Sequence, residues 1–486
     1  MTPAAPAPSW HDRLVWWGGV ALLAFATLVA MLVVVMVASE NPVLALAIPV
    51  VLAAIPVLAS RAPRTPASAF VGVMVLSMGI LVNQDGLQAH EALFALTYVV
   101  YLAWWFLSRP FIYGVRIVRD RIDFAVLAFI VFAFSTFLLT LLFGGSVSSA
   151  VSEAVSLSLL LLYFPIRELC ERSDRGLWVC LGVVFAFGAF GCMRVLVNFR
   201  LSIQDVEYAW EVARGRVTMN ELLLYLAAML SLTLAMVSTG RRQFLALGGA
   251  FGAYAIALVL TQWRAYYVAL FLAIVVAFIL SRSAGRRRGL LLVVGGGLVA
   301  VAVAWLVLGE NLQLVALGLF DRLASIGTAS TQDPSLTNRF LESEAVKRRI
   351  WESPILGHGM GVDFAFYDIN FEGTWHKTYA HNTFYTLLFK FGAFGLGLIL
   401  FTWIGTIVSM WRHTKSATPL YRAVALFVLA SLSALLVSST VAPVLLNDDT
   451  VIAFALLFGI GAGVRAAARR RDGPGDQLPL SRRQSA

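Results

Sequence analysis

The stretch "HNTFYTLLFKFGAFGLGLILFTWIGTIVSMW", His381 to Trp411, decides the fold. From Thr383 onward its only charged residue is Lys390, and an apolar run of that length reads as a membrane-spanning helix. Similar runs recur along the chain between short charged loops. The 486 residues are 59% hydrophobic and only 13% charged, too little charge to keep a soluble domain of this size dispersed. The short alternating segments of a membrane β-barrel do not occur. The expected class is an all-α polytopic integral membrane protein, with about 12–14 transmembrane helices and one long periplasmic loop carrying short helices.

Fourteen spans are read near 14–38, 42–60, 67–83, 92–107, 122–143, 149–166, 177–199, 218–238, 243–261, 265–281, 289–308, 383–411, 421–441 and 450–465. Two pairs have very short links, so twelve or thirteen spans are also compatible. The start "MTPAAPAPSWHDR" lacks the charged opening and cleavage site of a signal peptide, so the first apolar run is expected to be retained. The expected organisation is a cytoplasmic N-terminus (1–13), a helix bundle (14–308), a periplasmic loop (309–382), C-terminal helices (383–465) and a basic cytoplasmic tail (466–486).

Arginine placement orients the chain. With the N-terminus in the cytoplasm, "SRAPRT", "SRPFIYGVRIVRDR", "RELCERSDR", "TGRRQ", "SRSAGRRRG", "WRHTK" and "RAAARRRD" all face inward, and 25 of the 37 Lys and Arg residues lie there. This satisfies the positive-inside rule at each loop and puts both termini in the cytoplasm. The net charge of +10 is thus mainly a topology signal, and no nucleic-acid partner is expected. Of the three cysteines, Cys170 falls at the cytoplasmic side. Cys180 and Cys192 share one helix about 18 Å apart, too far to bridge.

Twelve cations remain outside: Arg194, Arg200, Arg214, Arg216, Arg264, Arg322, Arg339, Lys347, Arg348, Arg349, Lys377 and Lys390. Most fall in 198–221 or in the long loop, and a connection so long suggests a function. Within the loop, "LTNRFLESEAVKRRIWESPILGHGMG" has helical spacing. Phe340, Ala345, Ile350 and Trp351 share a face, with Asn338 as a candidate N-cap, and Pro354, Gly357, Gly359 and Gly361 end the helix in a tight path.

Arg264 lies in "LVLTQWRAYYVALFL", where two spans meet almost without a loop. It reads either as an arginine snorkelling beside Trp263 and Tyr266 or as an anion clamp. His381 reads as an interfacial cap or as a general base, and Asn382 as an N-cap, with or without a binding role. Lys390 and Arg194 read as snorkelling side chains, His358 and His376 as solvated surface residues, and Gly392 and Gly395 as sites where another helix approaches. Tyr367, Phe371, Trp375 and Tyr379 read as interfacial anchors that can also stack on sugar rings. No tight Asp/Glu/His cluster marks the outer face, so neither metal nor cofactor is expected.

The segment "HNTFYTLLFKFGAFG" resembles the signature of the O-antigen ligase and O-antigen polymerase superfamily. That signature is His, then Asn, Ser or Gln, nine variable residues, Gly, two more, and a small or aromatic residue. Here it is His381, Asn382, Thr383 to Phe391, Gly392, Ala393, Phe394 and Gly395, without departure. "TQWRAYYVALFL" is similar to the family's Ser-Arg helix, with Gln-Trp before Arg264. "TNRFLESEAVKRRIWESPILGHGMG" is similar to its periplasmic Arg…Trp…Ala…Pro-x-x-Gly-x-Gly stretch, although Trp351 lies immediately before Glu352 and not close after Arg339. "RGRVTMNELLLY" is similar to its Arg/Asn helix entry through Arg216 and Asn220. The likeness covers residues 214 to 400.

This resemblance implies a glycosyltransferase of the bacterial inner membrane. It would move a glycan from a polyprenyl (undecaprenyl) diphosphate carrier to a periplasmic acceptor hydroxyl: lipid A core, a growing glycan or a protein. Metal-free holding of the diphosphate would fall to Arg216, Arg264 and Arg339, with Arg214 and Arg200 in support. His381 would act as base, while Asn382 and Asn220 would bind substrate. The alternative is a transporter or flippase of lipid-linked or anionic solutes. Against it, no internal repeat or matched pair of interrupted helices is evident. A non-enzymatic scaffold would leave the Arg and His placement unexplained.

Overall fold

The computed structural model describes residues 67–80, 89–202, 220–308, 317, 334–369 and 371–472. The helices among them are α1 (Ala67–Ile80), α2 (Ala89–Phe111), α3 (Arg121–Ser135), α4 (Phe137–Leu142), α5 (Val147–Ser158), α6 (Tyr163–Arg172), α7 (Asp174–Ser202) and α8 (Glu221–Val237). There follow α9 (Arg241–Leu260), α10 (Arg264–Leu280), α11 (Ser283–Leu308), α12 (Pro334–Ile350), α13 (Thr383–His413), α14 (Pro419–Ser438) and α15 (Asp448–Asp472). Among the described residues, seven helical stretches are long and apolar enough to cross a membrane. They are Arg121–Leu142, Val147–Arg172, Asp174–Ser202, Arg241–Leu260, Thr383–His413, Pro419–Ser438 and Asp448–Arg471. The protein is therefore an all-α polytopic membrane protein. The expected spans 14–38 and 42–60 lie outside the described residues.

The chain forms two compact units, Met1–Val131 and Phe132–Ala486. In the first, α1 packs along α2. Arg109 is fully buried near the end of α2, its guanidinium 5.3, 5.1 and 5.4 Å from the rings of Trp104, Trp105 and Tyr113. That aromatic cage offsets part of the cost of burying the charge.

In the second unit α8 is apolar all round, and every residue from Glu221 to Met236 is buried. A helix of that kind belongs in the middle of a bundle. It packs against α7, α9, α10 and α14, while α15 packs against α6, α13 and α14. Tyr225 Oη of α8 donates to Ser431 O of α14 at 3.2 Å. At one end, Arg470 pairs with Glu171 and Arg471 with Asp174, giving that end a basic, ion-paired rim. Short links make α8 and α10 run in one direction and α13 and α15 run together, and Tyr266 at the start of α10 lies within electrostatic reach of Glu221 and Asp449, so all four begin at the end opposite that rim. Asn220, Arg264, His381 and Asp448 therefore share one end of the bundle.

Between α12 and α13 the chain forms a two-stranded antiparallel hairpin, β1 (Phe364–Asp368) and β2 (Gly373–Lys377), with Phe364 opposite Lys377 and Phe366 opposite Trp375. The hairpin is an addition to the sequence reading of this loop, which has a short helix and a tight glycine-containing path. Alternation along β1 buries Phe364 and Phe366, which join Val346 of α12 and Phe389 of α13 in one apolar cluster.

Helix α12 also differs from the sequence reading. It begins at Pro334, so Asn338 is interior instead of an N-cap. Asn338 Nδ2 donates to Asp368 Oδ1 at 2.7 Å and its Oδ1 accepts from Ile369 N at 2.9 Å, fastening helix to hairpin. The inward stripe is Asn338, Glu342 and Val346, whereas Phe340 and Trp351 point outward. The hydrophobic residues misled because the helix turns a polar face to a partner that can satisfy it.

Helix α13 is broken at Gly392, whose φ of 60° and ψ of −170° are open essentially to glycine alone. The backbone of residues 354–359 enters the break. His358 N and Gly359 N donate to Phe389 O and Lys390 O at 2.8 and 2.9 Å, while Ala393 N and Phe394 N donate to Pro354 O and Ile355 O at 2.8 and 3.2 Å. A Cβ on Gly392 would stand 2.1 Å from Ile355 O. Gly392 thus admits a loop, not the neighbouring helix expected from sequence. Gly392→Ala should lower the melting temperature of the detergent-solubilised protein, at a cost of at least about 1–3 kcal/mol from backbone strain alone. Gly397→Ala, whose Cβ meets nothing within 4 Å, should leave it unchanged or slightly raised. Equal melting of the two variants would contradict this account.

Candidate active site

The first turn of α13 presents His381 and Asn382. Asn382 Oδ1 accepts from Phe384 N and Tyr385 N at 2.9 and 3.1 Å, the hydrogen bonds of an N-cap. Thr383 is tied down by the segment after α14. Its N–H donates to Ser439 O at 2.9 Å, its hydroxyl donates to Ala442 O at 2.7 Å, and that hydroxyl accepts from Val444 N at 2.9 Å. The backbone beneath His381 is therefore fixed from two sides.

His381 Nδ1 lies 2.7 Å from Glu342 Oε2. Glu342 is only 2% exposed, and its other oxygen faces Lys377 Nζ at 3.7 Å. A buried carboxylate against Nδ1 favours the tautomer with the proton there, leaving Nε2 as the acceptor. The imidazole is 29% exposed, enough to be reached from outside. Tyr379 stands beside it, ring centroids 6.0 Å apart. Burial, and then the charge of Glu342, push the Tyr379 hydroxyl upward, so it remains a protonated donor at neutral pH.

Arg339 precedes Glu342 by one turn of α12, and its Nη1 donates to Val441 O at 3.2 Å. The segment 439–444 thus joins the Arg339 helix to the His381 helix. Arg264 opens α10, directly after Gln262 in the left-handed region (φ 58°) and an extended Trp263. Asn220 opens α8, also left-handed (φ 54°) and buried. Tyr225 and Tyr266 meet at 6.5 Å between these two helices, and both helices pack against α14. Arg214 and Arg216 lie outside the described residues.

Glu342, the decisive partner of His381, was given no functional role by sequence reasoning. The pair is separated by 39 residues, and the signal available in sequence was a polar residue on the Asn338–Glu342–Val346 row. Lys390 is not a snorkelling residue. It is 1% exposed, and its Nζ is 2.7 Å from both carboxylate oxygens of Glu153 on α5. The same carboxylate accepts from Gly361 N at 3.1 Å. His358, expected at a solvated surface, is buried between the rings of Phe143 and Phe389 at 4.6 and 5.0 Å. His376 does lie exposed, 3.2 Å from Asp363. Among the described residues no group of three or more His, Cys, Asp or Glu side chains could hold a metal ion.

Residues 226–400 match the family described as O-Antigen ligase, a segment containing Arg264, Arg339, Glu342 and His381. No curated protein matches the chain. The family match supports the O-antigen ligase and polymerase superfamily, a ligase- or polymerase-type membrane glycosyltransferase and a lipid-linked glycan substrate. Together with the apolar helices it supports a multi-pass bacterial membrane protein.

Breaking a buried ion pair from one side costs about 3–5 kcal/mol because the other charge is stranded. Lys390→Met should therefore lower the melting temperature of the purified protein, and Lys390→Met with Glu153→Gln should recover much of the loss. No recovery in the double variant would show that the pair is not what Lys390 contributes.

Proposed function

We propose that this protein, whose residues 226–400 match the O-antigen ligase family, transfers a glycan from a polyprenyl diphosphate carrier to an acceptor hydroxyl at the periplasmic face of the inner membrane. Both termini lie in the cytoplasm in this reading. The observation that carries it is the His381–Glu342 pair at the mouth of α13, with Arg339 one turn away on the Glu342 helix.

Three requirements meet at this site. The acceptor hydroxyl must lose a proton as it attacks the anomeric carbon, and Nε2 of His381 takes it. The imidazolium so formed is balanced by the buried Glu342 carboxylate, which also fixes the ring. The bond from the anomeric carbon to the diphosphate oxygen breaks, and the leaving lipid diphosphate keeps the electron pair. Arg339, Arg264 and Arg216 neutralise that charge, with Arg214 in support, through charge-assisted hydrogen bonds. Asn382, whose Oδ1 is engaged in the cap, offers its amide N–H groups to the acceptor, and Asn220 faces the donor. No step needs a metal ion. A flippase would account for the cations, and a carboxylate-oriented histidine would enter it only as a proton relay.

The test is transfer in proteoliposomes supplied with a polyprenyl-diphosphate-linked glycan, with each variant confirmed in the membrane. His381→Ala should lower the rate by about 10²–10⁴-fold, the usual contribution of a general base. Glu342→Gln should reduce kcat with little change in KM, because it alters the imidazole and not the donor contacts. Arg339→Ala and Arg264→Ala should both impair transfer, and a chelator should leave it intact. Full activity of His381→Ala would sink the mechanism, and loss of activity to the chelator would sink its metal independence.

A further inference from the structure

The segment that enters the break in α13 leaves a row of large apolar side chains uncovered. Trp351 is 79% exposed, Ile355 66% and Leu356 49%, and Phe394 of α13 is exposed beside them. The backbone of this row is fixed by the bonds to Phe389, Lys390, Ala393 and Phe394, and by Thr140 Oγ1, which donates to Met360 O at 2.6 Å.

Its depth can be read from two helices independently. Helix α13 has 31 residues, about 46 Å at the α-helical rise and well beyond the ~30 Å hydrocarbon layer. With the exposed Trp411 and Arg412 at the basic-end interface, the other edge of that layer falls about 20 residues earlier, near Phe391. This is the level of the break. On the other flank, Gly359 and Gly361 press against the backbone of Thr136, Thr140, Ser146 and Ala150. The helix there, α4, exposes Leu138, Leu141 and Leu142 at the end of an apolar span. Both walls beside the segment are thus apolar and outward-facing at this height.

We infer that Trp351, Ile355 and Leu356 are seated among the acyl chains of the outer leaflet, so that the membrane anchors the end of α12 and with it Glu342. Charge fits this placement. The last turn of α12 carries Lys347, Arg348 and Arg349, Lys347 paired with Glu344 and Arg349 with Glu352, and this charged turn stands above the apolar row at the height of lipid phosphates. Backbone that leaves a helix at such depth is tolerated only where protein satisfies its polar groups, and here the broken helix does so. The inference rests on the membrane reading of the chain and not on glycosyl transfer.

The test places a nitroxide at Ile355→Cys in protein reconstituted into phosphatidylethanolamine and phosphatidylglycerol vesicles. The native cysteines Cys170, Cys180 and Cys192 are buried, and Phe371→Cys on the hairpin is the comparison. Relaxation by oxygen should exceed relaxation by a polar nickel chelate several-fold at Ile355→Cys, and the order should reverse at Phe371→Cys. Trp351→Cys gives the same readout if the first variant does not fold. Nickel-dominated relaxation at the folded Ile355→Cys or Trp351→Cys site would overturn the inference. Because depth is measured without turnover, that result would leave the proposed reaction standing, and an inactive enzyme would leave the depth result standing.

Discussion

A backbone that departs from helical geometry inside a membrane-spanning helix frees carbonyl and amide groups that lipid cannot satisfy. At Gly392 those groups are Phe389 O and Lys390 O above, and Ala393 N and Phe394 N below. All four are taken up by the chain between Pro354 and Gly359. Three glycines with positive φ, Gly357, Gly359 and Gly361, let this chain lie against helix backbones on both sides. The break and the loop are therefore one structure, because neither is satisfied without the other. The Lys390–Glu153 pair fastens the same place electrostatically, with Gly361 N sharing the carboxylate.

From this junction the geometry of the candidate site follows. The loop continues directly from α12, so fixing the loop fixes where that helix ends. Asn338 fastens the helix to the hairpin, and Arg339 fastens it to the segment after α14. Glu342 then has one place to go, a dry position against His381 Nδ1. The imidazole is held by a carboxylate that is itself held, which is how a reactive side chain acquires a defined tautomer and direction.

The spanning helices were legible in the sequence because lipid imposes a simple code of apolar runs about twenty residues long. Of the twelve expected spans from 67–83 onward, ten each overlap one described helix, 122–143 covers α3 and α4, and 149–166 runs from α5 into α6. His381 and Asn382 were legible because two polar residues at the mouth of such a run are conspicuous. What stayed hidden depends on pairing across sequence. Glu342 needed His381, and Lys390 needed Glu153, 237 residues away. Gly392 looked like a packing residue because its φ, and the loop that exploits it, are tertiary facts. Phe340 and Trp351 drew the apolar face of α12 to the wrong side, since a helix that packs through Asn338 and Glu342 defeats the usual hydrophobic stripe.

The length of α13 has a geometric consequence. If the hydrocarbon edge lies near Phe391, the imidazole of His381 stands about 15 Å beyond it, across the helical residues Thr383–Phe391 and the two residues that precede them. The distance is fixed by covalent structure and cannot vary with the substrate. A lipid-linked glycan enters the bilayer with its tail at a constant depth, so its first sugar is presented at a nearly constant altitude above the acyl chains. In the proposed reaction the upper part of α13 works as a ruler. It measures where along the donor the attack falls before any sugar hydroxyl has been recognised.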